Sequence, residues 1–408
     1  MHLISKIPRD PLRFWQTLHP RPINGFFLGP VSGRDSDIYM SAGEPRRVLS
    51  AGVDGVNPLL AKIKASFRPG SALPRFVGFL GFNAGRAFDA GIGRLPLRPN
   101  PLGTPEALFG DYPLVVKLDL KKKETLVAAR SGKGNRKKLR TLSSAQFARM
   151  VDRAKDAIAQ GDIYQANLSL RFSGGYDGDP IELYRSLSEQ NPSPYSCLIK
   201  FGNAWIVSSS PELLVQVDGR RVLTRPIAGT RPRGMTASID ARRRGQLLLS
   251  PKERAEHIML VDLERNDLGR VCRAGSVKVT DRYAVERYSH VMHIVSQVEG
   301  RLGRGRDSVD ALKALFPGGT ITGCPKIKSI EVIEEIEKVA RGPFYGSAGF
   351  FRGTGDAVFN ILIRTALIKN KKITIQAGAG IVADSNAGRE YREVLAKAGA
   401  LLEAVGRT

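Results

Sequence analysis

Two Glu-x-x-Glu pairs constrain this chain most: Glu253 with Glu256 in SPKERAEHIMLVDLERND, and Glu390 with Glu393 in GREYREVLAKAGALL. Each pair has the i,i+3 spacing that puts two carboxylates on one face of a helix. If the fold brings the two acidic faces together, something cationic must sit between them, and an oxygen-preferring divalent ion such as Mg²⁺ suits that place. A local reading stays open beside it. Ser250 and Glu253 have the spacing of a capping box with Pro251 at the first helical position, and Glu390 lies where acids favour the positive end of a helix dipole. Glu256 and Glu393 sit a turn further in, against apolar stripes, where capping explains less.

The 408 residues are 42% apolar and carry 63 Lys and Arg against 39 Asp and Glu, a net charge of +24. No run approaches the roughly 18 apolar residues of a membrane span, so a soluble protein is expected. The start, MHLISKIPRDPLRFW, has no apolar segment behind its early charge, which argues against a secretory signal. Cys197, Cys272 and Cys324 are odd in number and lack metal-type spacing, as in a reducing cytoplasm. The charge invites a nucleic-acid reading, but the densest basic stretch, Lys117 to Arg140, has no aromatic residue among its cations to stack on bases. It reads as a strand, a turn, a second strand and a solvated linker. A positive field also attracts a small dianionic substrate.

Residues 1–140 are rich in Pro, Gly and short alternating segments, most clearly FVGFLGFNAGRAFD, and read as a mostly β N-terminal region packed on a catalytic domain over 141–408. A helix follows from about Ser143 to Gly161, then strands in IYQANLSLRF, YSCLIKFGNAWIVSSSP and LLVQVDGRRVLTRPIAGT. Helices are expected at about 236–268, 307–316, 325–337 and 389–404, with strands in FYGSAGFF, AVFNILIRTALI and KITIQAGAGIV between the last two. Strand runs that do not alternate one-to-one with helices predict an α+β fold. Its expected form is large antiparallel sheets with outer helices, in two interleaved, sandwich-like subdomains.

In order along the chain, PIAGTRPRG, KERAEHIMLVDLERNDLGRV, YSHVMHIVSQVEG, FPGGTITGCPKI, FNILIRT and QAGAGIV resemble the motifs of the chorismate-utilising enzymes. That family includes the large subunit of anthranilate synthase, component I of aminodeoxychorismate synthase, isochorismate synthase and salicylate synthase. The resemblance is strong over about 145–405 and loose before it.

The resemblance implies that the acidic helices hold Mg²⁺, with Glu256 and Glu393 as direct ligands and Glu253 and Glu390 acting through water. It makes Glu212 the acid that protonates the departing ring hydroxyl, an assignment helped if neighbouring acids raise its pKa. It places His293 near that hydroxyl or the ring carboxylate, and leaves His290 structural. Arg364 and Lys397 would bind substrate carboxylates, although Lys397 also has the spacing of an ion pair with Glu393. Tyr345 would meet the enolpyruvyl carboxylate. Ala228, Thr230 and Thr320 would line the pocket, and Gly378, Ala379 and Gly380 would let backbone approach the anion closely.

Isochorismate and salicylate synthases have a lysine base where this chain has Gln165. A neutral amide cannot deprotonate water, so ammonia, already a nucleophile, is the implied reactant. Two aminating branches remain. Ala228 stands where many aminodeoxychorismate synthases carry lysine, as in anthranilate synthase. GGTITG, Asn167 and FNILIRT resemble aminodeoxychorismate synthase, and no LLES-type tryptophan motif appears. The favoured product is 4-amino-4-deoxychorismate for 4-aminobenzoate and folate, with anthranilate as the alternative. No glutaminase signature is present, so a separate class I glutamine amidotransferase is the expected source of ammonia.

Overall fold

The computed structural model describes residues 10–20, 22–29, 37–69, 73–119, 139–287 and 291–406. Residues 120–138, which hold the second strand and linker of the basic stretch, lie outside them, as does His290.

Two large antiparallel sheets form the frame. One has nine strands in the order Gly323–Cys324, Gln165–Gly175, Lys372–Ile381, Thr365–Lys369, Ala204–Ser208, Cys197–Phe201, Asn24–Leu28, Asp37–Ser41 and Val115–Asp119. The other runs Ile227–Pro232, Val291–Arg301, Arg221–Arg225, Leu213–Asp218, Ala357–Asn360, Ser347–Arg352, Pro74–Leu80, Ala107–Asp111 and Arg47–Ala51, with Lys278–Arg287 also paired to Val291–Arg301. Strands from the first 119 residues thus complete one end of each sheet by hydrogen bonding into it, so the N-terminal segment is woven into both sheets.

Side-chain alternation explains the layers. Phe26, Ile199, Ile206 and Leu367 of the first sheet pack with Phe79, Phe109, Phe351 and Phe359 of the second in the central core. Their neighbours Phe27, Leu198, Val207 and Ile368 point the other way, under a helical layer that contributes Phe147, Val151, Leu187, Val394 and Leu401. The first sheet is therefore buried on both faces.

Local signals set the helices. Ser143 and Gln146 close a capping box on Ser144–Ala159, and Gly161 takes φ +81° just beyond its end. The helical stretch expected over 236–268 is two helices, Ala237–Leu249 and Pro251–Gly269, which divide at the Ser250 cap and Pro251 start read from the sequence; Ser250 precedes a proline and adopts extended backbone at φ −68°, ψ 114°. Its Oγ accepts from the Glu253 N–H, but the Glu253 carboxylate turns to Arg231 and closes no box. Four described helices went unread: Pro11–Leu18 and Pro180–Gln190, each with an Asp cap and Pro at N1, Val56–Lys64, and the short Ala90–Gly93.

Two crossings between the sheets position the chemistry. After Ala204–Ser208 in the first sheet, residues 209–212 carry the chain to Leu213–Asp218 in the second. AVFNILIRTALI, expected as one strand, divides in the same place: Ala357–Asn360 belongs to the second sheet and Thr365–Lys369 to the first. Glu212 and Arg364 lie on these crossings. The Ile361 N–H donates to the Glu212 carbonyl at 3.1 Å, and the Ser209 N–H to the Arg364 carbonyl at 3.1 Å, tying them side by side.

Candidate active site

Glu212 is 3% exposed. Its Oε1 accepts the Ile227 N–H at 3.3 Å. Burial pushes its carboxyl up to about 7, against the opposing pull of the nearby Thr320 hydroxyl, the Ile227 N–H, Arg364 and Lys397. The Thr320 hydroxyl stands beside this carboxyl without closing a hydrogen bond of good geometry. The physical cause of the raised pKa is therefore desolvation, and not the neighbouring acids that the sequence suggested.

Ala228 sits between two of these contacts. Its predecessor binds Glu212, and its successor Gly229 presents a carbonyl to His293 Nδ1 at 3.2 Å. The pairing of Ile227–Pro232 with Val291–Arg301 shifts register between Ala228 and Thr230, where Gly229 takes φ +64°. That backbone favours glycine, and a Cβ there would also crowd Glu253 Oε2 at 2.6 Å. The Thr230 side chain lies outside the described set. His293 Nε2 is 3.0 Å from Arg364 Nη2. An Arg nitrogen can only donate, so His293 is neutral with its proton on Nδ1. Burial first, then Arg364, pushes its pKa down to about 3.

Arg364 and Tyr345 are both held in left-handed backbone, at φ 49° and φ 62°. Such conformations cost about 1–3 kcal/mol in non-glycine residues and persist where the surroundings enforce them, often at functional sites. Tyr345 is 4% exposed and its hydroxyl has no hydrogen-bond partner. Its ring lies against the Arg341 guanidinium, 4.6 Å from centroid to Cζ.

The floor of the site is the end of Lys372–Ile381. Gly378 and Gly380 pair with Ser169 and Asn167, while Ala379 faces the helical layer. A Cβ on Gly378 would come within 2.7 Å of the Tyr345 hydroxyl, and one on Gly380 within 2.2 Å of Gln165 Nε2 and 3.4 Å of Glu256 Oε1. Gln165 Nε2 donates to Glu256 Oε1 at 3.1 Å. Lys397 forms the ion pair with Glu393 that its spacing predicted, at 2.7 Å, and also donates to the Gly378 carbonyl at 3.1 Å. Through the glycine floor the structure brings Glu256, Gln165, Tyr345 and Lys397 to one place, with the Glu212–His293–Arg364 group held between the sheets.

The four acids are less gathered than the sequence implied. Glu253 pairs with Arg231 at 3.0 Å, Glu390 is buried and Glu393 is half exposed. Among the described residues no three His, Cys, Asp or Glu side chains converge to hold an ion. The donors are all carboxylate oxygens. They fit an ion that keeps much of its water shell and shares the rest between a few carboxylates and an anionic ligand, which is how Mg²⁺ binds.

Sequence reasoning missed Glu264, although Glu264 and Asp267 repeat the i,i+3 acid spacing on the same helix. Glu264 Oε1 accepts the Gly319 N–H of the GGTITG loop at 3.2 Å. Burial and then Asp267 push its carboxyl up to about 8. It also missed the buried pair of Arg341 with Glu337, at 2.8 Å and 2.9 Å. That arginine also donates to the carbonyls of Ile321 and Asn167, binding the glycine loop to the sheet.

A sequence profile of chorismate binding enzymes matches residues 36–403. Anthranilate synthase component 1 of Streptomyces coelicolor is 39% identical over 94% of this chain and 84% of its own length, and that of Thermus thermophilus 42% identical over 86% and 82%. Aminodeoxychorismate synthase component 1 of Bacillus subtilis is 49% identical over 64% of this chain. The chain spans about half the length of some curated relatives, 55% in that case. Among solved structures, anthranilate synthase component I from Streptococcus pneumoniae superposes with a TM-score of 0.76 at 31% identity, over 98% of this chain and 94% of its own. The menaquinone-specific isochorismate synthase of Escherichia coli shares the fold, with a TM-score of 0.78 at 17% identity over 98% and 92%. Given a profile match across most of its length and end-to-end relatives above 30% identity, the chain belongs to the family of chorismate binding enzymes.

Proposed function

We propose that this enzyme aminates chorismate, replacing the ring hydroxyl by an amino group from ammonia to give 4-amino-4-deoxychorismate. The observation that carries the reading is Gln165. A neutral amide hydrogen-bonded to Glu256 stands where a water-activating base would be needed, while Glu212, buried on the crossing between the sheets, keeps its proton near neutral pH. Ammonia needs no base to become a nucleophile.

In this reading Arg364 and Lys397 anchor substrate carboxylates, the former by its fork and the latter as a point charge. Tyr345 offers its unpartnered hydroxyl to a third oxygen. Glu212 donates its proton to the departing hydroxyl, which leaves as water. Neutral His293 offers no competing acid. Glu256 and Glu393, with Glu253 and Glu390 through water, would hold Mg²⁺, which supplies a positive centre for the ring carboxylate. Ammonia would come from a separate class I glutamine amidotransferase; the component 1 names of the relatives imply a partner subunit for those proteins.

A second reading, anthranilate synthase, is favoured by the relatives of that name that match most of this chain and by Ala228, which supplies no lysine nucleophile. There the aminated ring also loses pyruvate. Incubation with chorismate, ammonium and Mg²⁺ separates the two: anthranilate fluorescence supports the second reading. Conversion to 4-aminobenzoate only after an aminodeoxychorismate lyase is added supports the first. Isochorismate as the sole product would overturn both.

A further inference from the structure

Gln165 and Asn167 are two residues apart on the strand Gln165–Gly175, so their side chains leave the same face of the sheet. Each amide donates through its NH₂ group to a protein acceptor: Gln165 Nε2 to Glu256 Oε1 and Asn167 Nδ2 to the Thr320 carbonyl, both at 3.1 Å. Those partners fix the amide orientations, because a flip would set oxygen against oxygen. Both amide oxygens are thereby turned away from these contacts. Each is buried without a hydrogen-bond partner, on residues that are 3% and 9% exposed.

The neighbouring strand approaches them closely through its glycines. Gly380 lies against Gln165, and a Cβ on Gly378 would stand 2.7 Å from Asn167 Oδ1 and 2.7 Å from the Tyr345 hydroxyl. An amide oxygen can only accept. A buried acceptor left unsatisfied is costly, and this pair repels the carboxylates that Arg364 and Lys397 attract. The group that satisfies them must bring N–H or O–H donors and no negative charge.

We propose that Asn167, together with Gln165, seats the ammonia nucleophile and is a specificity-determining residue for amination. The inference rests on the amination reading above. Ammonia donates N–H hydrogens to the amide oxygens and keeps its lone pair for the ring. The C–N bond forms as the C–O bond breaks, the hydroxyl leaves as water with the Glu212 proton, and the proton shed by the new ammonium group restores Glu212. Water could occupy the same seat, but nothing at Gln165 would deprotonate it.

The test is steady-state kinetics of the full chain with ammonium chloride at saturating chorismate and Mg²⁺, comparing Asn167→Ala and Asn167→Ser with the unsubstituted protein. Asn167→Ala is expected to raise the KM for ammonium by about fivefold to tenfold and to move the KM for chorismate by less than about twofold. Asn167→Ser, which keeps a hydroxyl acceptor, is expected to recover part of the loss and guards against a folding defect in the alanine variant. An unchanged ammonium KM in both variants overturns the proposal. So does a chorismate KM that rises in step, because Asn167 would then hold a substrate hydroxyl. If the unsubstituted protein forms no ammonia-dependent product, the amination reading itself fails first, and that failure is visible without any variant.

Discussion

Arg364 Nη2 donates to His293 Nε2 at 3.0 Å, and the other ring nitrogen faces the Gly229 carbonyl at 3.2 Å. The pair makes the imidazole a neutral spacer with its proton on Nδ1. Burial and the adjacent guanidinium push its pKa down to about 3, against an ordinary value of about 6.5. Nitrogen-detected NMR should show Nε2 unprotonated across the neutral range, and a titration near 6.5 would refute this. Because the unfolded chain takes up this proton at higher pH than the folded one, stability from this group falls as pH drops from about 6.5 toward 3.

Glu212 predicts the opposite limb. Its folded pKa, raised by burial to about 7, lies above the value of 4.5 for an exposed glutamate. The acid form should support activity at low and neutral pH and be lost as pH rises through about 7. Over the same interval the folded state binds more protons than the unfolded one, so the group's contribution to stability also declines as pH rises. Glu212→Gln should keep the fold and lower kcat by about a hundredfold to ten-thousandfold, with the alkaline limb abolished. A variant that keeps the limb would place the acid elsewhere.

Metal removal should stop turnover. Chelation by EDTA is expected to abolish product formation and excess Mg²⁺ to restore it. Glu256→Gln removes a candidate ligand and disturbs the contact with Gln165. It should raise the Mg²⁺ concentration for half-maximal activity by about tenfold or more, and normal turnover at ordinary Mg²⁺ would sink the metal assignment.

Gly378→Ala tests the glycine floor. The added Cβ would meet the Leu168 carbonyl at 2.6 Å and the Tyr345 hydroxyl at 2.7 Å. Overpacking of this kind costs about 1–3 kcal/mol, readable as a lower denaturation midpoint. The KM for chorismate should rise with it. Unchanged stability would mean that the strand has more room than these distances allow.

The buried pair of Arg341 and Glu337 should matter more for the fold than any exposed ion pair. Arg341→Met leaves Glu337 charged in the interior, although Ser169 still donates to it through N–H and hydroxyl at 2.9 Å and 2.7 Å. The expected loss is about 3–5 kcal/mol in urea unfolding. The double change with Glu337→Leu should recover part of it, and no recovery would mean that Arg341 acts through its carbonyl and aromatic contacts alone.

The sequence by itself determined what is local or repeated in kind. Spacing showed both acidic helices, caps and prolines marked several helix starts, and β-rich runs without a one-to-one helix rhythm announced antiparallel sheets. The ordered motifs identified the family and most of the side chains now found around the glycine floor. Only the tertiary structure decided how these residues act. The apolar run through Ile361–Ile363 has no local mark of a break, because Asn360 and Thr365 belong to different sheets only once the sandwich closes. That crossing, beside the one at Glu212, sets Arg364 against His293. Desolvation likewise has no signature in sequence: the burial that raises the pKa of Glu212 and lowers that of His293 comes from residues distant along the chain. The orientation of the Asn167 amide depends on the Thr320 carbonyl across the site, and this too exists only in the folded protein.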